Sequence, residues 1–398
     1  MRLVQQHIIK SNNKYYKDLK ELCFKSKNLY NATLYAVRQN FFKNNTYLTY
    51  NEIDKLFKET NNVDYRSLPS QSAQQTMRVV DSSFRSFFKL LSKKKSKQYD
   101  KKINIPSYLD KNGLFILIYT SQQLSYKYLK NGIIKLPLTN ITFKTNVKNI
   151  KQIRFVPKSN YIVMEIVYDK KENCLKNDNR CYAAIDLGIN NLATVTSNIS
   201  KPYIINGRPI KSINQYYNKR KSQLQSKLKN QKSSKRIQRL SLKRNNKIND
   251  YFHKSSRHIV NQLVSDSINT LIIGKNKDWK QDINLGTNVN QSFTSIPHQK
   301  FINMLSYKCK LVGINIILRE ESYTSKASFI DRDPIPSKKS DIVFSGKRIK
   351  RGLYRSRNGS VINADINGSY NILRKEVSDV YLPADRGFVF NPRSISLI

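Results

Sequence analysis

Three short segments each present a carboxylate suited to metal-held phosphodiester chemistry: Ala183-Ala184-Ile185-Asp186-Leu187-Gly188, Arg319-Glu320-Glu321-Ser322-Tyr323 and Asn363-Ala364-Asp365-Ile366-Asn367-Gly368. Asp186 closes an apolar run, where a lone carboxylate is costly to bury unless something positive neutralises it. Mg²⁺ takes oxygen ligands from a few carboxylates plus water. Two such ions flanking a phosphate activate the attacking water and stabilise the leaving 3′ oxygen. That chemistry needs acids from separate elements to meet at one end of a sheet. The expected donors are Asp186 from a first strand, Glu321 from the end of a later strand and Asp365 from the start of a last helix.

The elements that must deliver them are read from periodicity. Ala183–Leu187 and Leu192–Thr196 read as strands, and Pro202–Ile205 as a third, ended by Asn206-Gly207. A long basic helical region spans 211–264. Thr270–Ile273 reads as a strand, Pro297–Leu311 as a helix, Asn315–Glu321 as a strand after Gly313, and a polar loop leads to a final helix over Asp365–Lys375. Three antiparallel strands followed by alternating helices and strands is a ribonuclease H-like arrangement. Upstream, apolar residues recur at helical spacing over Lys14–Lys43 and again after Pro69, so 11–101 reads as an all-α module. Past Pro106 the period changes to two, and five short strands between Phe115 and Tyr168 predict a small antiparallel β-barrel over 102–180. The strand at Leu3–Ile9 is placed to complete it. The fold class is thus α/β with helical and β-barrel parts.

Composition narrows the partner. Lys and Arg total 72 against 27 Asp and Glu, a net charge of +45, while 39% hydrophobic residues argue against a disordered basic tail. The expected partner is nucleic acid. No stretch of about 18 apolar residues exists to span a membrane, and the N-terminal segment lacks the apolar core of a signal peptide, so a cytoplasmic setting is expected. Cys23, Cys174, Cys181 and Cys309 form no CxxC pair and read as reduced, buried thiols. His253 and His258 share no helical face well and read as packing residues.

The segments IDLGINNLAT, ESYTSK and NADINGSYNILRK resemble the three RuvC-type blocks of the TnpB family of transposon-encoded RNA-guided nucleases, related to compact type V CRISPR effectors and to Fanzor proteins. LYNATLYAVRQNFF and LPSQSAQQTMRVVDSSFRSFF resemble that family's helical recognition lobe. The resemblance implies a wedge-type β-barrel over 1–10 and 102–180, a recognition lobe over 11–101 and a RuvC-like nuclease domain over 181–398. It further implies two Mg²⁺ ions held by Asp186, Glu321 and Asp365, a guide RNA from the flanking transposon end and a double-stranded DNA target.

Two departures stand out. Most relatives carry the middle acid directly after the strand that here reads Leu271-Ile272-Ile273, whereas this chain continues Gly274-Lys275-Asn276. Glu321 is the replacement expected from the neighbouring strand; Glu320 is the alternative acid, turned to the opposite face by strand alternation, and Asp331 and Asp333 are weaker candidates. The second departure is the zinc ribbon, excluded because 322–364 holds no Cys or His. In its place lies a basic insertion over 322–362, with Lys347, Arg348, Lys350, Arg351, Arg355 and Arg357 expected to load the target strand.

Between Lys211 and Arg257 stand 15 Lys/Arg and one acid, Asp250. Such a helical surface repels itself without a phosphate partner, and Lys219, Arg220, Arg236, Arg239 and Arg244 are the expected contacts to a guide–target heteroduplex. Tyr50, Gln71, Gln74 and Gln75 are candidates to read a target-adjacent motif, since Gln can pair with adenine edges. Rival readings are an RNA-guided repressor whose nuclease has decayed and a transposase working without RNA.

Overall fold

The computed structural model describes residues 1–228, 233–276, 291, 294–336, 342–377 and 392–397. They divide into two compact units, Met1–Lys170 and Lys171–Ile398.

In the first unit, strand β1 (Arg2–Lys10) precedes four helices: α1 (Tyr16–Asn44), α2 (Tyr50–Glu59), α3 (Val63–Arg66) and α4 (Ser70–Lys95). Their starts are written locally. Thr49 and Glu52 form a reciprocal capping box at α2, and Asn62 accepts from Tyr65 N at α3. Helix α4 buries Ala73, Met77, Val80 and Phe84, the stripe predicted by three- and four-residue spacing. Strands β2 (Leu117–Thr120), β3 (Ile133–Lys135), β4 (Thr142–Lys144), β5 (Ile150–Pro157) and β6 (Tyr161–Asp169) follow, with the short helix α5 (Tyr126–Lys130) between β2 and β3. They do not close. The sheet is four-stranded in the order β1-β6-β5-β2, and β3 pairs only with β4 as a separate hairpin. The expected closed barrel is therefore an open sheet among the described residues. The two three-residue strands of the hairpin are too short to bridge its edges.

The second unit carries a six-stranded sheet. Strands β7 (Tyr182–Asp186), β8 (Asn191–Ser197) and β9 (Tyr203–Asn206) run antiparallel; β10 (Thr270–Gly274) lies parallel to β7, and β11 (Asn315–Arg319) parallel to β10. The basic region is two helices, α6 (Arg208–Gln225) and α7 (Lys235–Ser265). With α8 (His298–Val312), α7 covers one face of the sheet. The insertion is no mere polar loop: β12 (Lys347–Lys350), β13 (Leu353–Arg355) and β14 (Val361–Asn363) make a three-stranded antiparallel sheet that leads into α9 (Ala364–Glu376). Helix α9 covers the opposite face, so the central strands are buried on both sides and read as nearly continuous apolar runs. A last strand, β15 (Arg393–Ile395), joins parallel to β9 and was not anticipated from the sequence.

Cys23 and Cys309 are buried and their thiols are pushed up to about 12 by burial, but Cys174 is exposed and Cys181 half-buried, contrary to the expectation for all four. Among the described residues no helix is long and apolar enough to cross a membrane. Phe301 of α8 is fully buried, its ring 5.2 Å from that of Phe252 on α7. Truncating it to Ala should cost about 3–5 kcal/mol, read as a lower urea midpoint of the second unit by circular dichroism.

Candidate active site

Side-chain alternation decides which residues face α9. In β7, Ala183 and Ile185 pack toward α7 and α8, whereas Ala184 packs toward α9, which sends Asp186 to the α9 side. In β10, Leu271 and Ile273 take the first side and Ile272 the second, which puts Gly274 opposite α9. The parallel register pairs Ile273 with Ile185 and Gly274 with Arg319, so the carboxyl ends of β7, β10 and β11 come level. This is the edge where open α/β sheets collect their ligands.

Two glycines make room for acids there. A Cβ on Gly368 would stand 2.9 Å from Asp186 Oδ2, and one on Gly274 would stand 2.6 Å from Glu321 Oε2 and 2.5 Å from Ile372 Cδ1. The Glu321 carboxylate thus lies against the place where a side chain at 274 would begin. Strand β11 ends at Arg319, so Glu321 belongs to the turn beyond it rather than to the strand itself. There its amide donates to Asn276 Oδ1 (3.1 Å), and Asn276 Nδ2 donates to Glu321 Oε1 (3.2 Å). Glu321 Oε2 is buried without a partner. Glu320 is exposed and accepts from the Ser322 hydroxyl, away from this arrangement.

The helix motif is used residue by residue. Asn363 caps α9, accepting from the amides of Asp365 and Ile366. Asn367 donates to Ala327 O and accepts from Phe329 N; Asn371 donates to Thr324 O and Ala327 O, pinning the chain that follows Glu321. Ser369 bonds Thr196 Oγ1 (2.9 Å) and the carbonyls of Ala184 and Thr194, which ties α9 onto β7 and β8. Tyr370 stacks on Phe329 at 4.4 Å with 7° between the rings.

Asp365, on the first turn of α9, is held by two neighbours the sequence did not nominate for that task. Asn191 Nδ2 donates to its Oδ2 at 2.6 Å, and an Arg348 guanidinium nitrogen lies 3.5 Å from its Oδ1. Arg348 is aimed by its sheet. It pairs across the strands with Tyr354, which pairs with Ile362, and both are fully buried in the core that packs on α9. Cross-strand partners share a face. The adjacent row, Lys347 and Arg355 with Val361, takes the other face, where Lys347 and Arg355 are exposed.

Burial and mutual repulsion dominate the electrostatics. Asp186 is pushed well above the usual carboxylate range by burial first and then by Glu321 and Asp365, with Arg348 and the Leu187 amide opposing. Burial raises Glu321 to about 7, against the pull of Lys375. Three carboxylates from separate elements, one with an unsatisfied buried oxygen, fit a hard divalent cation. Among the described residues, no three Asp, Glu, His or Cys side chains already form a closed ligand set.

The remaining candidates fare unevenly. Lys219, Arg220, Arg236 and Arg239 are exposed on α6 and α7, but Arg244 is half-buried: it donates to Asn214 Oδ1 and Ser295 O, both at 2.7 Å, and lies over Tyr217. Arg351 is exposed in the turn between β12 and β13. Asp331 and Asp333 accept from Ser328 and Ser345 and brace the insertion. In the first unit, Gln71 is bonded to Thr120 and Gln74 to Tyr65, and Gln75 is half-buried. Tyr50 lies under Arg78 at 4.1 Å in a cavity of about 410 Å³ that also includes Asp81 and Arg85.

Residues 165–280 match a family model described as OrfB_IS605, probable transposase, and residues 298–372 match the Cas12f1-like TNB domain. These two matches are consistent with a TnpB-family protein. The two TnpB-type matches include Asp186, Gly274, Glu321, Arg348 and Asp365. Among solved structures, the chain is similar to the protein of a Cas12f1–sgRNA–target DNA complex (TM-score 0.55, 13% identity, 90% of this chain and 82% of that one). It is also similar to the mini-RNA-guided endonuclease CRISPR-Cas_phi3 (TM-score 0.50, 9% identity, 96% and 94%). At these identities the likeness is one of fold. No curated relative matches in sequence.

The raised carboxyl of Glu321 has a pH signature. Below its ordinary value of 4.5 the group is protonated in both folded and unfolded chains and adds no pH dependence; as the pH climbs from 4.5 to about 7 only the unfolded chain gains by ionising, and above that both forms are charged and the difference is constant. In EDTA, Glu321→Gln should therefore gain on the natural protein by about 3 kcal/mol between pH 4.5 and 8. Paired denaturation curves at several pH values measure this, and a difference independent of pH would mean that Glu321 titrates normally.

Proposed function

We propose that this chain is an RNA-guided DNA endonuclease encoded by a transposable element, cutting double-stranded DNA beside a short target-adjacent motif. The observation that carries the reading is the meeting of Asp186, Glu321 and Asp365 at one sheet edge, with Gly274 and Gly368 vacating the space their carboxylates need. A decayed site would have no reason to keep both clearances beside costly buried acids. The fold neighbour in complex with an sgRNA and target DNA supports an RNA guide and a DNA target here.

Asp186, Glu321 and Asp365 would hold two Mg²⁺ ions, which when bound supply the Lewis acidity that activates water and stabilises the leaving 3′ oxygen. The chain's own residues prepare that site. Asn276 orients Glu321, Asn191 orients Asp365, and Ser369 fixes the approach of α9 to the sheet. Lys219, Arg220, Arg236 and Arg239, with Lys347 and Arg355 of the small sheet and Arg351 of its turn, bind phosphates of the guide–target duplex and of the strand to be cut. Arg244 serves chiefly to brace α6 against α7. The open sheet of the first unit takes the wedge role, and its helices the recognition role. Tyr50, backed by Arg78, is a better reader of the target-adjacent motif than Gln71 or Gln74, whose side chains are engaged within the unit.

The test is to co-express the chain with its flanking locus, sequence the copurifying RNA and challenge the complex with a randomised DNA library in Mg²⁺. Guided double-strand cuts are expected, falling by at least about a hundredfold in Asp186→Ala, Glu321→Ala and Asp365→Ala. Guided binding without cutting would instead mark an RNA-guided repressor, and strand transfer without RNA a transposase. The clearance at residue 274 gives a sharper expectation. In the Glu321→Ala background, Gly274→Glu should recover part of the lost activity, whereas Gly274→Gln should recover none.

A further inference from the structure

Arg348 is unusual among the basic residues of the insertion because it does not join the outward-facing row. Its cross-strand partner Tyr354 is fully buried, with its hydroxyl donating to Lys326 O at 2.8 Å, so the face that carries Arg348 is fixed against α9. The ladder shifts register between Arg348 and Lys350 on edge strand β12, an irregularity of the kind that re-aims a side chain. The guanidinium lies 3.5 Å from Asp365 Oδ1, while Asn191 occupies Oδ2. Both oxygens of Asp365 are thus engaged by protein groups. Among the described residues, meanwhile, no closed set of three metal-binding side chains exists.

These observations belong together. A carboxylate beside two other acids needs a positive neighbour when no cation is present, and Arg348 supplies it. An incoming divalent cation needs the same oxygen and is repelled by the same guanidinium. We propose that Arg348 is a latch on the catalytic site, holding Asp365 out of the cation's ligand set until a cation displaces it. The proposal rests on the reading of Asp186, Glu321 and Asp365 as cation ligands. It makes Arg348 a positioning residue for Asp365 before the cation enters. The half-exposed side chain, 47% accessible, is free to swing toward solvent or a phosphate once released.

The test is a Mn²⁺ titration of the purified full chain without nucleic acid, followed by electron paramagnetic resonance of the free ion. Arg348→Ala should bind Mn²⁺ on the order of five- to tenfold more tightly than the natural protein, because the competing ion pair and its repulsion are both gone. Arg348→Lys, which keeps the charge, should stay within about twofold of the natural protein, a result that a general loosening of the fold would not give. Arg351→Ala removes an equal charge from the adjacent turn and should also change affinity by less than about twofold. Unchanged or weaker binding by Arg348→Ala would overturn the latch, as would equal tightening by Arg351→Ala, which would indicate a diffuse field. Asp186→Asn separates this failure from failure of the underlying reading. If it leaves Mn²⁺ binding intact, the cation site itself is misassigned; if it abolishes binding while Arg348→Ala changes nothing, only the latch is lost.

Discussion

The site depends on how closely one helix approaches one sheet. Helix α9 lies on β7 and β8 with a hydroxyl, Ser369, bonded to two strand carbonyls, and with a glycine, Gly368, where any larger residue would meet the Asp186 carboxylate. That contact brings an acid at the end of a strand beside an acid on the first turn of a helix. It also fixes the turn after β11 through Asn367 and Asn371, and with it the path of the chain beyond Glu321. A larger residue at 369 would push the helix outward and separate all three acids at once. The small and amide residues of the motif are therefore packing requirements before they are chemical ones.

Around this contact the electrostatics run against the grain of the chain. A molecule with net charge +45 keeps two carboxylates buried enough to resist ionisation. Their repulsion is relieved locally by the Arg348 guanidinium, the Lys375 ammonium and amide side chains, not by the many lysines and arginines on α6 and α7. Amides suit this task because Asn191 and Asn276 donate hydrogen bonds to carboxylates without contributing charge. The basic surfaces are left to meet phosphates.

Much of this was legible in the sequence, and the exceptions share a cause. Asp186 and Asp365 could be found because their neighbours set a strand and a capped helix start over a few residues. The succession of strands and helices in the second unit followed from period and spacing. Contacts between distant segments were not legible. The bond of Gln71 to Thr120, the commitment of Arg244 to Asn214 and Ser295, and the pairing of Arg348 with Asp365 depend on registers that local pattern does not specify. Of the two acids, Glu321 lies against Gly274 and Glu320 is exposed, but alternation along a strand is not the reason, since the strand ends at Arg319 and both belong to the turn beyond it. The barrel is an open sheet instead because five short alternating runs indicate pairing without fixing whether the edges meet.

The pairing of β1 with β6 carries a consequence for how the chain is made. Arg2 faces Asp169 and Lys10 faces Tyr161, so the first strand finds its partner only after the whole helical insertion has been synthesised. At ordinary translation rates that interval is on the order of 10–30 s. Helices α1 to α4 have local contacts and time to form meanwhile, leaving β1 as a solitary ribbon trailing from a partly folded nascent chain. On the side that later faces solvent, Arg2, Gln6 and Lys10 alternate with the exposed Val4 and Ile8, so that row is only partly polar. Pairing of β1 with β6 is thus a late, ribosome-paced event, and the vulnerable species during biogenesis is the helical insertion with β1 still unpaired.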